Sequence, residues 1–324
     1  MLQDRFNRLI SYLRISVTDR CNFRCVYCMP EEGVELAPRA EILSFEEIAR
    51  VVRVGASLGL SKIRLTGGEP TVRRDLPQLV SMLRAIPQIG EIAMTTNAAL
   101  LDELAAPLQM AGLNRVNISL DTLNPEKAAQ IARRDYFGRV LAGIDAARRA
   151  NLGLKFNTVV MRGLNDDELP ALLDFARSYE AQIRFIEYMP MGMARFDERN
   201  RLVTSQETRA ILASRFDLVP ETENGDPARG YVCRETGARA GFISSMSDHF
   251  CDSCNRMRLT AQGGLRPCLH QNAEVDACAI MRGGGSDEEL RGAFLEAAGL
   301  KWAGHRMNDV IPLFSSKEMV SIGG

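Results

Sequence analysis

The sequence predicts an α/β protein built on a parallel sheet, and three observations support this. Apolar runs typical of strands alternate with helical patterns over the first two thirds of the chain. The first helix carries a clear capping signal, and polar residues stand at the ends of the predicted strands. Six strand–helix units imply parallel strands with right-handed crossovers. This pattern alone fits either a doubly wound sheet or an open partial barrel.

The predicted strands are short, and the polar residues at their ends point to one functional edge. Taken singly, each polar group is an ordinary helix cap or turn, but parallel strands collect their functional groups at their carboxyl ends. The strands are predicted at 12–17, 62–66, 91–96, 115–120, 154–160 and 182–188. The polar ends are Thr66-Gly67-Gly68-Glu69, Thr95-Thr96-Asn97, Ser119-Leu120-Asp121, Asn157-Thr158 and Glu187-Tyr188-Met189.

The first predicted helix is the best marked. Ser44-Phe45-Glu46-Glu47 forms a capping box, and Ile48, Val51 and Val52 fall on one face behind it. Gly59 stands where a C-terminal cap is expected. Further helices are predicted over about 75–86, 100–111, 125–134, 138–150 and 166–179.

The alternation fades after about residue 199, which predicts a second, smaller region. Residues 221–230 are polar and contain glycine and proline, as linkers and domain boundaries do. A chain of 324 residues is long enough for two domains. We therefore predict domains over 1–224 and 225–324.

Composition excludes several classes of protein. The chain is 46% hydrophobic and 25% charged, which is typical of a globular protein. Its net charge of −1 gives no basic field for a nucleic acid or a membrane surface. The N-terminal residues contain no apolar signal segment, and no stretch approaches the roughly 18 apolar residues of a membrane span. Eight cysteines in a protein expected in the cytoplasm indicate metal or redox chemistry rather than disulfides.

The motif Cys21-x3-Cys25-x2-Cys28 follows the first predicted strand directly. A fully ligated cubane iron–sulfur cluster takes four cysteines, so three leave one iron open to a small molecule. Structural zinc sites use C-x2-C pairs and four closed ligands. The spacing, with Tyr27 before the last cysteine, therefore favours a cluster over zinc or free thiols.

This motif resembles the signature of radical S-adenosylmethionine (SAM) enzymes. In that superfamily the open iron chelates SAM, and reductive cleavage yields a 5′-deoxyadenosyl radical. The resemblance implies a [4Fe–4S] cluster on Cys21, Cys25 and Cys28 and SAM as a cofactor. It also favours a (β/α)6 partial TIM barrel for the 1–224 domain.

A second cysteine group lies in the C-terminal region, as Cys251-x2-Cys254-x13-Cys268. With His249 or His270 as a fourth ligand, the same residues would suit a Cys3His zinc site, so the spacing leaves both metals open. Arginines nearby favour an open cluster beside an anion pocket, since guanidinium groups bind anions. These are Arg256, Arg258 and Arg266.

With this second group the chain resembles the GTP 3′,8-cyclase family of molybdenum cofactor biosynthesis. The resemblance spans nearly the whole chain and implies a smaller C-terminal iron–sulfur domain over 225–324. That domain would hold a second [4Fe–4S] cluster on Cys251, Cys254 and Cys268. The segments that carry the resemblance are 18–28, Arg64-Leu65-Thr66-Gly67-Gly68-Glu69-Pro70, 250–258 and the terminal Ile322-Gly323-Gly324.

The resemblance also assigns individual residues. For Met189 it is the only support, since a buried methionine is usually core filler. The SAM contacts are Tyr27, Gly68, Glu69, Ser119 and Met189. The GTP contacts are Arg14, Arg64, Thr95, Lys155, Arg256, Met257 and Arg258. Gly323 and Gly324 would reach into the active site, where residues without side chains can thread a crowded pocket. Cys233 and Cys278 receive no role.

The implied activity is a lyase-type cyclisation of GTP to (8S)-3′,8-cyclo-7,8-dihydroguanosine 5′-triphosphate. The 5′-deoxyadenosyl radical would abstract the ribose 3′-hydrogen. The implied partners are a flavodoxin-type reductant, the downstream cyclic pyranopterin monophosphate synthase and a second copy in a homodimer. Two rivals remain: a peptide-modifying radical SAM enzyme, and a zinc-stabilised binding module fused to an electron-transfer barrel.

Overall fold

Twelve strands form one sheet in the parts of the chain that this computed structural model describes, residues 1–189, 201–222, 227–306 and 319–323. The six predicted strands are confirmed, with ends shifted by a residue at most. The strands are β1 (Tyr12–Ser16), β2 (Lys62–Thr66), β3 (Glu91–Thr96), β4 (Arg115–Ser119), β5 (Gly153–Val160), β6 (Gln182–Glu187), β7 (Leu218–Pro220), β8 (Arg229–Cys233), β9 (Arg239–Ile243), β10 (Arg256–Leu259), β11 (Gly264–Arg266) and β12 (Val275–Asp276).

Eight neighbouring strands run parallel, in the order β10-β1-β2-β3-β4-β5-β6-β9. The C-terminal region therefore adds a parallel strand to each edge of the predicted six-stranded sheet. Antiparallel pairing continues outwards on both sides, from β9 to β8 and β7 and from β10 to β11 and β12.

The helices confirm the predicted positions and capping. Ser44 Oγ accepts a hydrogen bond from the Glu47 N–H at 3.1 Å, and Gly59 follows the helix with φ +106°. None of the helices in the described ranges has the length and apolarity needed to cross a membrane. They are α1 (Phe45–Ser57), α2 (Leu76–Arg84), α3 (Leu101–Met110), α4 (Pro125–Ala132), α5 (Phe137–Arg149), α6 (Leu169–Ser178), α7 (Ser205–Ala213), α8 (Ala277–Arg282) and α9 (Asp287–Gly299).

The two faces of the sheet differ, as β1 illustrates. Leu13 and Ile15 are fully buried in the main hydrophobic core, whereas Arg14 lies on the opposite face because side chains alternate along a strand. That opposite face lines a cavity of about 280 Å³, to which every one of the eight parallel strands contributes a residue. A sheet whose strands all line one cavity must curve around it, so the predicted α/β partial barrel is confirmed.

The polar segment predicted as a linker, 221–230, follows β7, and its last two residues already belong to β8. The Glu221 N–H donates to the Gly230 carbonyl at 2.8 Å, so the two ends of this segment are held together. The predicted boundary between residues 224 and 225 lies outside the described residues, and the division into two domains stays a prediction.

Helix α5 packs closely on the loop that follows β3. A Cβ atom on Gly143 would lie 2.1 Å from the Ala98 carbonyl oxygen, and Ala98 has the left-handed φ of 65°. The contact therefore allows no side chain at position 143 without displacement of the helix or the loop.

We expect Gly143→Ala to lower the unfolding free energy by about 2 kcal/mol, within the range measured for overpacked sites. Gly138 is the matched control, since it lies in the same helix and its Cβ would meet nothing within 4 Å. Gly138→Ala should leave stability unchanged or raise it slightly, because alanine favours helices. Thermal melts followed by circular dichroism compare the two, and equal melting temperatures would contradict the packing argument.

Candidate functional site

The first cysteine trio (Cys21, Cys25 and Cys28) lines one cavity on a loop after β1. Backbone bonds pin this loop to the end of α4, from the Arg24 N–H to Ala132 O at 2.9 Å and from the Val26 N–H to Ile131 O at 3.0 Å. The loop therefore has a fixed place against α4 although it contains no helix or strand.

The chemistry of these thiols fits an iron–sulfur cluster. Burial, and after it the negative charge of Glu69, raise the pKa of Cys21 to about 12. Burial also raises the pKa of Cys25 well above its usual range, and the neighbouring Cys28 and Cys21 act in the same direction. Thiolates are thus disfavoured here unless a strong positive charge sits between them, and metal coordination deprotonates thiols outright.

The glycines after β2 lie close against the cysteine loop. A Cβ atom on Gly68 would lie 2.2 Å from the Arg20 carbonyl oxygen, so this position accepts no side chain without displacement. The Gly68 N–H donates to Thr18 O and the Glu69 N–H to Arg20 O, both at 2.8 Å. These glycines fix the cysteine loop against the end of β2.

Glu69 is buried and its carboxylate is held by the protein. It accepts hydrogen bonds from Thr71 Oγ1 at 2.6 Å, Thr96 Oγ1 at 2.7 Å and the Asn97 N–H at 2.7 Å. Burial raises its pKa, while these donors act in the opposite direction. The network links the ends of β2 and β3 beside the first trio.

Tyr27 links the cysteine loop to the end of β4. Its hydroxyl donates to Asp121 Oδ2 at 2.8 Å, and the Val159 N–H donates to Asp121 Oδ1 at 2.9 Å. Burial raises the pKa of Asp121 to about 6. Tyr27, Asp121 and Ser119 line both the first-trio cavity and the larger cavity, so the two cavities adjoin.

Three arginines stand side by side across neighbouring strands. Arg14 on β1 is in register with Arg64 on β2 and with Arg258 on β10. Neighbouring strands lie about 4.8 Å apart, so the three side chains project together into the larger cavity. Burial lowers the pKa of Arg14 well below its usual range, and the charges of Arg258 and Arg64 lower it further. We call these three residues the arginine row. Three positive charges side by side favour the binding of an anion.

The second cysteine trio (Cys251, Cys254 and Cys268) lines the same cavity as the arginine row. Cys254 lies just before β10 and Cys268 just after β11, so one hairpin carries both. Burial would raise the pKa of Cys254, but the charges of Arg256 and Lys301 outweigh it and hold the pKa at about 7.

All three histidines of the chain gather beside the second trio. The ring of His305 lies 5.1 Å from that of His249 and 5.3 Å from that of His270, centroid to centroid. Burial lowers the pKa of His270 to about 3, with His305 and Arg258 acting in the same direction. Among the described residues, no three His, Cys, Asp or Glu side chains are arranged around a single ion position.

The C-terminal segment reaches the arginine row. The Gly323 carbonyl accepts hydrogen bonds from Arg14 Nη2 at 3.2 Å and from Arg258 Nη1. Gly323 has φ +70°, and a Cβ atom there would lie 2.5 Å from Thr66 Oγ1. Only glycine fits this position without displacement. Gly324, the other predicted tail residue, lies outside the described residues.

The structure brings most of the predicted site residues to these two cavities. Thr95 lines both, while Met189 and Arg256 line only the larger one. Two residues lie elsewhere. The Met257 side chain is fully buried in the core on the opposite face of β10, so only its backbone is near the site. Lys155 lines an adjoining cavity rather than the one that contains the arginine row.

Sequence reasoning missed several residues that shape the site. Lys301 and His305 carry no motif signal, since both follow α9 and reach the site only through the fold. Glu187, at the end of β6, carries no sequence signal beyond that of a polar strand end. Its carboxylate accepts from the N–H groups of Ser205, Met246 and Ser247 at 2.7–2.8 Å and thereby holds the loops around the cavity.

Two family models match the chain in succession. Residues 15–176 match the Radical SAM superfamily, and residues 181–307 match Molybdenum Cofactor Synthesis C. Among solved structures, Streptococcus suis SuiB bound to S-adenosylmethionine gives a TM-score of 0.60 at 15% identity, over 89% of this chain and 68% of that one. At this identity the likeness concerns the fold alone.

Curated relatives match over the full length. The chain is 46% identical to the GTP 3′,8-cyclase of Syntrophomonas wolfei, over 99% of both chains. It is 46% identical to the enzyme of the same name from Pelotomaculum thermopropionicum, over 100% of both, and 44% identical to that of Petrotoga mobilis, over 99% of both. With the two cysteine trios and the arginine row between them, these matches show that the chain belongs to the GTP 3′,8-cyclase family.

Proposed function

We propose that this protein is the radical SAM enzyme that cyclises GTP to (8S)-3′,8-cyclo-7,8-dihydroguanosine 5′-triphosphate, the first step of molybdenum cofactor biosynthesis. The observation that carries this proposal is the arginine row in a cavity that also contains the second cysteine trio. Arg64 is buried, and Arg14 and Arg258 are half-buried. Guanidinium groups in register repel one another, and a triphosphate would supply the negative charge that offsets the repulsion.

The first trio is the proposed site of the SAM cluster. A [4Fe–4S] cluster held by Cys21, Cys25 and Cys28, with SAM, would supply the 5′-deoxyadenosyl radical for abstraction of the ribose 3′-hydrogen. The protein fixes the cysteine loop through its contacts with α4 and through the Glu69 N–H, which donates to Arg20 O. Tyr27, Gly68, Glu69, Ser119 and Met189 remain proposed SAM contacts. Met189 is the weakest of them, because it lines only the larger cavity.

The larger cavity is the proposed GTP site. The arginine row and Arg256 would bind the triphosphate, and Thr95 lies where the two cavities adjoin. Because residues such as Thr95 and Ser119 border both cavities, the source of the radical and the ribose would be neighbours, which shortens the path of the hydrogen atom. We propose a second [4Fe–4S] cluster on Cys251, Cys254 and Cys268 in the 225–324 domain. Lys155 and the backbone of Met257 would contact GTP only at the edge of this site.

The remaining assignments rest on the family resemblance. We propose a flavodoxin-type reductant, cyclic pyranopterin monophosphate synthase as the enzyme that consumes the product, and a homodimer. We also propose a cytoplasmic location, because all eight cysteines are free thiols, as a reducing compartment would keep them.

The experiment that tests this function measures 5′-deoxyadenosine after anaerobic reconstitution with iron and sulfide. SAM and dithionite are supplied with GTP, with ATP or with neither. We expect a strong rise with GTP and none with ATP, since the substrate completes the site and excludes water. Cleavage that is indifferent to GTP would keep the radical SAM chemistry and refute the substrate, and the search would turn to peptides.

Cysteine variants should separate the two metal sites. Cys28→Ala should lower iron from about eight to about four atoms per chain and abolish SAM cleavage. Cys254→Ala should lower iron equally while slow SAM cleavage persists. Cys278→Ala is the control, because this buried thiol lines neither cavity, and it should keep all the iron. If Cys254→Ala instead released zinc and kept its iron, the second site would be a zinc site.

The Gly323 position should be sensitive to a single methyl group. Gly323→Ala adds a clash with Thr66 Oγ1 to a left-handed backbone, so we expect cyclase activity to fall at least tenfold while SAM binding is kept. Gly237→Ala is the matched control, because Gly237 has the same φ of +70° with nothing within 4 Å. Product formation followed by chromatography compares the two variants. A Gly323→Ala enzyme as active as the control would show that the tail contact is dispensable.

A further inference from the structure

Lys301 is a buried cation beside the second cysteine trio. It follows α9 and is only 2% exposed. Its Nζ donates to the Arg256 carbonyl at 2.9 Å and to the Pro267 carbonyl at 2.8 Å. A buried ammonium group is costly unless polar or negative groups surround it, so its position requires an explanation.

The two carbonyls belong to the chain segments that present the cysteines. Arg256 begins β10 two residues after Cys254, and Pro267 directly precedes Cys268. Lys301 therefore lies between the two arms of the hairpin, and it lines the same cavity as all three cysteines.

The segment that carries Lys301 is itself fixed by a second buried cation. Arg8 donates from Nη2 to Trp302 O at 2.5 Å and from Nη1 to Ala303 O at 2.9 Å. The same Nη1 donates to Cys251 O at 2.7 Å, and Arg8 Nε pairs with Asp4 Oδ2 at 2.6 Å. The positive charge of Lys301 is therefore held at a defined place rather than on a mobile side chain.

We propose that Lys301 is a positioning residue that raises the reduction potential of the iron–sulfur cluster held by Cys251, Cys254 and Cys268. The inference rests on the proposed second cluster. One-electron reduction makes such a cluster more negative by one charge, and a fixed cation nearby stabilises that form. Net charge and hydrogen bonding near the sulfurs are known determinants of cluster potentials.

The test isolates the second cluster in the full chain. A parent carrying Cys21→Ala, Cys25→Ala and Cys28→Ala leaves the second trio as the only proposed cluster site. Lys301→Met removes the charge at similar length, and Lys301→Arg keeps it. Lys127→Met is the control, because Lys127 pairs with Asp167 at 2.7 Å on the exterior, away from both cavities. Each protein is reconstituted anaerobically, analysed for iron and zinc, and titrated with dithionite under electron paramagnetic resonance.

At the midpoint potential of the parent, we expect the ratio of reduced to oxidised cluster to fall about tenfold in Lys301→Met. For a one-electron couple, a tenfold change in this ratio corresponds to a midpoint potential lower by about 59 mV. Lys301→Arg and Lys127→Met should stay within about twofold of the parent, and all four proteins should hold about four irons. A Lys301→Met protein with full iron and the ratio of the parent would overturn the proposal while the cluster stands.

The other outcomes are equally decisive. If Lys301→Met fails to bind iron, a Lys301→Arg protein with the cluster and potential of the parent would support the need for charge. If Lys301→Arg lost the cluster, or shifted the potential as much as Lys301→Met does, the proposal would be overturned. A parent that holds zinc or no iron would refute the second cluster itself, and this failure is distinguishable because it precedes any change at Lys301.

Discussion

The parallel pairing of β1 with β10 is the constraint on which the site depends. Strand β1 leads into the loop of the first cysteine trio, and β10 begins just after Cys254 of the second. Because the two strands are hydrogen-bonded neighbours, groups more than 200 residues apart in sequence face one cavity. The same pairing completes the arginine row, since Arg14 is flanked by Arg64 on one side and Arg258 on the other. The C-terminal region is thus an integral part of the barrel wall.

Electrostatics divides the interior into two parts with opposite requirements. Around the first trio, burial and nearby negative groups make thiolates costly, so the loop favours a positively charged partner such as a cluster core. Along the arginine row, burial and like charge make the guanidinium groups costly, so the cavity favours an anion. Without ligands, both parts lower the stability of the fold, and each would be stabilised by its ligand. Ligand binding would therefore raise the free energy of unfolding. The hydrophobic core behind the sheet tolerates these local costs because it is continuous across all the parallel strands.

Local signals in the sequence predicted the six strands, the capped helix at Ser44 and both cysteine trios. They did so because periodicity, caps and metal-ligand spacing are properties of short segments. The resemblance places Met257 among the GTP contacts, but its side chain is buried in the core, because side chains alternate along β10 between Arg256 and Arg258. Lys301, His305 and Arg8 could not be found this way, since nothing near them in sequence marks the surroundings that they enter. The positions of β10 beside β1 and of β9 beside β6 depend on pairing between distant segments. A single sequence does not specify such pairing.

The short strand β10 also determines how this protein can change over evolution. Its arginines face the cavity and its Met257 and Leu259 face the core, so both sides of the strand are committed. Loss or gain of one residue between Cys254 and Arg258 would exchange the two faces, because side chains alternate strictly along a strand. Charges would then enter the core at the same moment as apolar groups entered the cavity. Length variation among natural homologues should therefore be excluded from this stretch even where substitutions are accepted.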